Sequence, residues 1–182
     1  MRLALTGPPG SGKSTAARLL VQLLQKKSRQ DVHVLKIAEP LYKLQNTIYK
    51  TARVELSTEY EQDGELLQYL GSKLRKINPD CLSNNFAERL DRLQNSHDSI
   101  VICDDARPLD IPHLLTLGFI IIKITSRHSE SRVIERNDLT RQDPGSALEM
   151  GYSELSGALE IDNSGSTQDL EAHLSKILDE IL

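Results

Sequence analysis

The sequence predicts an α/β protein, a three-layer sandwich in which a five-stranded parallel sheet carries helices on both faces. Three observations point to this. Five short, nearly continuous apolar runs read as buried strands: Arg2 to Thr6, Val32 to Ala38, Ile100 to Cys103, Phe119 to Thr125 and Leu159 to Ile161. Segments with apolar residues at helical spacing separate them, so neighbouring strands must be joined by crossovers and run parallel. The first run meets the first helix through Gly7-Pro8-Pro9-Gly10-Ser11-Gly12-Lys13-Ser14, which has the form G-x-x-x-x-G-K-[ST] in the strand-loop-helix context that gives this pattern meaning.

The helical patterns, in order, run from Lys13 to Lys27, Leu41 to Thr51, Glu61 to Ile77, Pro79 to Asn95, Ile111 to Leu117, Ser129 to Asn137 and Thr167 to Ile181. Pro and Gly fall between elements, and no repeat or low-complexity segment interrupts them. Residues 1–37 and 99–182 form the core of a single domain, residues 38–98 a helical insertion, and residues 127–150 a short lid. The insertion is far longer than a minimal crossover requires, which leaves its helices free to wall off a pocket. Within it Gly71 falls inside a helical pattern, and two readings stand: close approach of backbone or ligand, or a break in the helix.

Elementary chemistry assigns the loop between the first strand and helix to a polyphosphate. Gly7, Gly10 and Gly12 let successive N–H groups turn inward around an anion, with Pro9 and Ser11 filling the turn. The helix that follows aims its unpaired N–H groups and a charge of roughly +0.5 at the same point. Lys13 adds a full charge for the β- and γ-phosphates, and the Ser14 hydroxyl is placed to ligate Mg2+. Thr15 completes the cofactor-binding set and also packs within the helix. ATP and Mg2+ are therefore the expected cofactors.

Composition narrows the partners. A chain of 182 residues suits one domain, and a domain of this size buries about 70% of its unfolded surface. The net charge is −4 with no long basic run, which argues against nucleic acid and for small-molecule nucleotides met by local positive charge. Cys81 and Cys103 lack metal-ligand spacing and read as reduced core or near-core thiols. No stretch has the length of a membrane span, and the few apolar residues before the loop are too short for a signal peptide, so the expected location is cytoplasmic. Apolar residues from Leu170 to Leu182 fit an amphipathic closing helix, which packs equally well within one subunit or across a homodimer.

Ligands of open parallel sheets bind beyond the carboxyl ends of the strands. Asp104 and Asp105 follow the third strand there, a Walker-B-like arrangement in which Asp104, the nearer to the strand, supports the metal and Asp105 positions or activates the acceptor. Arg107 lies three residues on, Arg127 ends the fourth strand, and Arg132, Arg136 and Arg141 follow. Phosphoryl transfer needs such fixed positive charge around the transferred group, and Arg132 and Arg136 share a helix face as a closing lid would require. The alternative is a solvated face paired with Glu130 and Glu135. Arg53, Arg75 and Lys43 of the insertion offer charge to an acceptor phosphate.

Thr6 to Ser14, Ala38-Glu39-Pro40-Leu41, Leu67-Gln68-Tyr69-Leu70-Gly71, Val101 to Arg107, Tyr152-Ser153-Glu154 and Ile161 to Gly165 together resemble the deoxynucleoside monophosphate kinases of bacteriophage and bacterial type. The resemblance spans most of the chain and implies a P-loop kinase fold. It also implies transfer of the γ-phosphoryl group of ATP to a (deoxy)nucleoside 5′-monophosphate. It places Glu39, Gln68, Arg75 and Arg107 at the acceptor, Arg127 at the ATP base or phosphates, and Asp162 and Asn163 at the adenine end. Tyr152 stands where that family often has His, and Asp105 where an apolar residue is usual. The segment from Ser131 to Thr140 is also similar to the lid of dephospho-CoA kinases, a second reading in which the acceptor is a hydroxyl. A nucleotide-dependent switch without a small acceptor is the third.

Overall fold

The computed structural model describes residues 1–93, 99–128, 155 and 157–182. Its strands are β1 (Arg2–Thr6), β2 (Asp31–Leu35), β3 (Ser99–Cys103), β4 (Ile120–Thr125) and β5 (Leu159–Asp162). They form one sheet in the order β2-β3-β1-β4-β5, and every neighbouring pair is parallel. The helices are α1 (Lys13–Lys27), α2 (Glu39–Thr51), α3 (Gly64–Ile77), α4 (Cys81–Leu93), α5 (Ile111–Thr116) and α6 (Thr167–Ile181), with a 3-10 turn at Pro108–Asp110.

The period-2 alternation of each strand divides its apolar residues between two cores. Leu3, Leu5, Ile100, Ile102, Ile122, Ile124 and Ile161 face α1 and α6. Ala4, Val101, Cys103 and Ile121 face Leu41 of α2, Leu82, Phe86 and Leu90 of α4, and Ile111 and Leu114 of α5. Both faces of the central strands are thus dry, which is why the runs read as continuously apolar. Lys123 is the exception inside one run; it is buried, and its ammonium pairs at 2.8 Å with Glu160, the residue directly opposite on β5.

Leu170, Leu174 and Leu178 recur every four residues along α6 and are buried beside α1, each burial stabilising the fold by about 1.5–3 kcal/mol. The closing helix therefore spends its apolar stripe within the subunit. Its start is set by a reciprocal cap in which Ser166 Oγ accepts from Asp169 N at 3.2 Å and Asp169 accepts from Ser166 N at 2.8 Å.

Element ends differ from the sequence expectation for identifiable reasons. β2 stops at Leu35 rather than Ala38 because the amides of Ile37 and Ala38 turn to the carboxylate of Asp105. Helix α2 begins at Glu39, since Pro40 needs no amide partner in a first turn. Helix α3 begins at Gly64 because Asp63 caps it, accepting from Leu66 N at 3.0 Å. Gly71 is buried in an unbroken α3, so the helix-break reading does not hold; what comes close to it is the side chains of Arg75 and Leu41. The expected helix from Ser129 to Asn137, and residues 94–98, lie outside the described residues. Cys81 is partly buried, Cys103 is fully buried, and both are free thiols.

The strand order places the reversal of chain direction at β1, which has β3 on one side and β4 on the other. After β1 the chain moves out to the β2 edge and returns through β3; after β3 it crosses to β4 and β5. The crevice beyond the carboxyl end of β1 is where such a sheet receives a ligand. Residues 7–14 occupy it.

Candidate functional site

The phosphate loop is built by backbone packing. Gly7 has φ +142° and lies so close to β4 that a Cβ there would stand 2.0 Å from the Ile124 carbonyl oxygen. Gly12, with φ +99° in the left-handed region, caps α1; a Cβ on it would meet the carboxamide of Asn163 at 2.2 Å. That carboxamide donates to the Ser11 carbonyl at 2.9 Å, while Asn163 N donates to Thr125 O at 2.7 Å. Asn163 therefore braces the loop against the ends of β4 and β5. Its carboxamide nitrogen is engaged by the loop, and the residue is 8% exposed.

Residues of the loop fit a triphosphate. The first turn of α1 contains no acidic residue, leaving its amide dipole uncompensated for an anion. The Lys13 ammonium lies over the loop, donating to Gly7 O at 2.7 Å and Pro8 O at 2.9 Å. Ser11 Oγ and Thr6 Oγ1 are buried without a hydrogen-bond partner among the described residues, an anomaly for polar atoms that a ligand or water would relieve. Ser14 is exposed in the first turn of α1, and Pro9 is exposed at the tip of the loop. Gly10 and Thr15 are partly buried beside them.

The two acids after β3 take different partners just past the end of β2. Asp104 is 9% exposed and both its oxygens face Lys36 Nζ, at 2.6 and 2.5 Å. Burial alone would lower the Lys36 pKa, but the charge and hydrogen bonds of Asp104 raise it above the ordinary lysine value. Asp105 accepts Ile37 N at 2.8 Å and Ala38 N at 2.9 Å. Burial and the neighbouring Asp104 charge raise its pKa, against the lowering effect of those amide bonds. Burial likewise pushes the Cys103 thiol well above its ordinary value. Asp105 thus anchors the β2–α2 connection, a use of its carboxylate that the sequence did not reveal.

A small pocket of about 30 Å³ opens beside this carboxylate, lined by Gln68, Gly71, Arg75, Asp105 and Arg107 with apolar walls from Ile37, Leu41 and Leu67. That space suits one compact polar group. Arg75 and the buried Asp110 form its rear, 3.6 Å apart, and Asp110 also accepts Arg107 N at 3.1 Å. Behind them lies a larger cavity of about 270 Å³ bounded by Asp80, Ser83, Leu109 and His113. Gln68, Arg75 and Arg107, expected at the acceptor from sequence, therefore meet in one place.

Others do not. Glu39 pairs with Lys43 at 2.9 Å and with Arg89 at 2.7 Å. Burial would raise its pKa, but Lys43 and Arg89 hold it below the ordinary glutamate value. Arg53 is exposed in the left-handed conformation just past α2, and it does not line the pocket. Arg127 is exposed at the carboxyl end of β4; its amide donates to Ser164 Oγ at 2.9 Å, which sets it beside Asp162 and Asn163. Arg132, Arg136 and Arg141, and Tyr152 to Glu154, lie outside the described residues.

Four site-shaping residues escaped sequence reasoning. Arg89 binds Glu39 and donates to Lys36 O at 2.6 Å. Gln45 is wholly buried, giving Nε2 to Glu61 O at 2.6 Å and accepting Asp63 N at 3.1 Å, so it ties the loop after α2 to the helix. Asp110 and Lys36 are the others. Only Lys36 had a usable signal: Leu35 pairs with Cys103, so the next residues along, Lys36 and Asp104, fall side by side once β2 is placed next to β3.

The loop at the strand-order reversal, the parallel sheet and the flanking helices define a nucleotide-binding protein of the P-loop kinase fold. The chain belongs to the AAA domain family, whose model matches residues 2–134. Among solved structures it is similar to an APS kinase, CysC, of Mycobacterium tuberculosis in complex with AMPPNP and APS. That likeness has a TM-score of 0.54 at 16% identity and covers 99% of this chain and 96% of that one. It is also similar to a candidate kinase from Chloroflexus aurantiacus, with a TM-score of 0.57, 15% identity and coverage of 99% and 94%. Likeness at this identity establishes the fold. The search of curated proteins found no match. Among the described residues, no helix is long and apolar enough to cross a membrane.

Proposed function

We propose that this protein transfers the γ-phosphoryl group of ATP, with Mg2+, to a (deoxy)nucleoside 5′-monophosphate, giving the diphosphate and ADP. One observation carries the reading: the phosphate loop shares the carboxyl end of the sheet with a compact pocket lined by Arg75, Arg107 and Gln68. An acceptor oxygen forms the new P–O bond as the bond between the γ-phosphorus and the ADP oxygen breaks. Two guanidinium groups can hold the acceptor phosphate and spread the developing charge, while Lys13 serves the donor side. Ser14 would hold Mg2+, which supplies charge neutralisation at the phosphates.

The state of the carboxylates favours a phosphate acceptor over a hydroxyl. A monophosphate carries roughly −1.5 to −2 charge at neutral pH and needs placement rather than a base. A hydroxyl needs a carboxylate to take its proton. Asp105 has both oxygens on backbone amides, and Glu39 is held by two cations, so both candidates for that base are engaged.

The deciding assay is ADP release against a panel of ribo- and deoxynucleoside monophosphates, dephospho-CoA and APS, with Lys13→Ala as the blank. Stimulation by a subset of the monophosphates is expected. Activity with dephospho-CoA or APS alone would move the assignment to that acceptor, and no stimulation by any of them would leave a nucleotide switch.

Gly71 offers a sharper probe of the pocket. A Cβ there would stand 3.3 Å from both Arg75 Nη1 and Leu41 Cδ1, tight enough to displace the guanidinium by a few tenths of an ångström. Alanine also raises helix propensity by about 1 kcal/mol. Gly71→Ala is therefore expected to hold or raise the melting temperature while increasing the acceptor KM by about three- to tenfold. An unchanged KM would place the acceptor elsewhere.

A further inference from the structure

Asp104 has a cation already. Lys36 is 19% exposed and its ammonium bridges both oxygens of an acid that is itself 9% exposed. The arrangement is preorganised: β2 and β3 pair in register through Leu35 and Cys103, which delivers the two side chains to the same edge. The Lys36 backbone is pinned by Arg89 donating to its carbonyl oxygen, and the face of Tyr60 lies 5.4 Å from the ammonium. Asp105, the other acid of the pair, has both oxygens on amides. Among the described residues no three His, Cys, Asp or Glu side chains gather as a metal-holding group.

A metal accompanying a triphosphate at this loop would therefore find the Ser14 hydroxyl, but next to β3 a neutral ion pair instead of a bare carboxylate. We propose that Lys36 is a tethered cation that permanently occupies Asp104, so that nucleotide binding here is only weakly coupled to the divalent metal. This rests on the nucleotide-binding reading above. At the carboxyl end of β3 the ammonium supplies positive charge that a second-sphere metal contact would otherwise supply, and it does so without depending on metal concentration.

Calorimetry measures the coupling directly, as the ratio of ADP affinities with Mg2+ and with EDTA. Wild type is expected to show a ratio below about tenfold, and Lys36→Gln, which keeps a donor but loses the charge, a ratio at least about tenfold larger than wild type. Lys36→Arg should keep the wild-type ratio, and adding Asp104→Asn to Lys36→Gln should restore it. A large wild-type ratio that Asp104→Asn abolishes and Lys36→Gln leaves alone would overturn the assignment. A second measurement needs no variant: the 15N signal of the Lys36 ammonium in the ADP-bound protein is expected to persist when Mg2+ is added, and its loss would mean that the metal displaces it. If wild type bound ADP under neither condition, the nucleotide site itself would fall and this assignment with it, an outcome distinct from binding with the wrong ratio.

Discussion

Lys13→Ala is expected to lower acceptor-stimulated ADP release by at least about a hundredfold, the scale seen when one preorganised charge-stabilising donor is removed from a transfer site. The ammonium lies over the loop, held by the carbonyls of Gly7 and Pro8, and so sits where the terminal phosphates of a triphosphate would come. Those carbonyls can turn to water when the side chain is shortened, so stability should change by no more than about 1 kcal/mol. Steady-state kinetics and thermal unfolding on the same preparation test both halves. Turnover within a few-fold of wild type would remove Lys13, and with it the phosphoryl-transfer reading, from the site.

Gly7→Ala should act in the opposite way, through the fold. Ile124, whose carbonyl a Cβ at position 7 would approach to 2.0 Å, is fully buried in β4 and held in register with Ile161 of β5. Neither partner can retreat without tearing the sheet. The backbone conformation at Gly7 adds strain of about 1–3 kcal/mol for any side chain. Gly157→Ala is the natural control: it too has a positive φ, +81°, but nothing among the described residues lies within 4 Å of its Cβ position. Thermal unfolding should show Gly7→Ala losing clearly more stability than Gly157→Ala, and calorimetry should show ATP binding lost with it. Equal losses in the two variants would mean that the loop does not rest on β4.

Much of the architecture was legible because it follows from local periodicity. Runs such as Ile100 to Cys103 are apolar throughout since both sheet faces are covered, and α1 and α6 have the expected limits because their stripes and end signals are undiluted. The phosphate loop was legible for a related reason: its glycines and Lys13 answer to a ligand's geometry, which leaves a mark on contiguous residues. The strand ends proved harder. β2 reads as apolar through Ala38, but the ladder stops where Asp105, far away in the chain, takes the next two amides.

The acceptor side divides in the same way. Gln68, Arg75 and Arg107 were expected together and meet in one pocket, whereas Arg53, equally basic in sequence, sits exposed past the end of α2. Charge alone does not say which way a side chain points. Arg89 carried no signal at all, since one arginine on an amphipathic helix looks like any other until α4 packs against α2 and brings it to Glu39.

By itself the sequence determined which of the described segments are strands and which are helices, that the sheet is parallel, and that a glycine-rich P-loop opens the first helix, because each depends on residues within a few positions of one another. Only the tertiary structure decided that β1 lies between β3 and β4, that Lys36 rather than open solvent faces Asp104, and that Asn163 braces Ser11 from 152 residues away. Those contacts depend on strand order and register, and the short-range pattern of a chain does not record which of its buried strands will lie side by side.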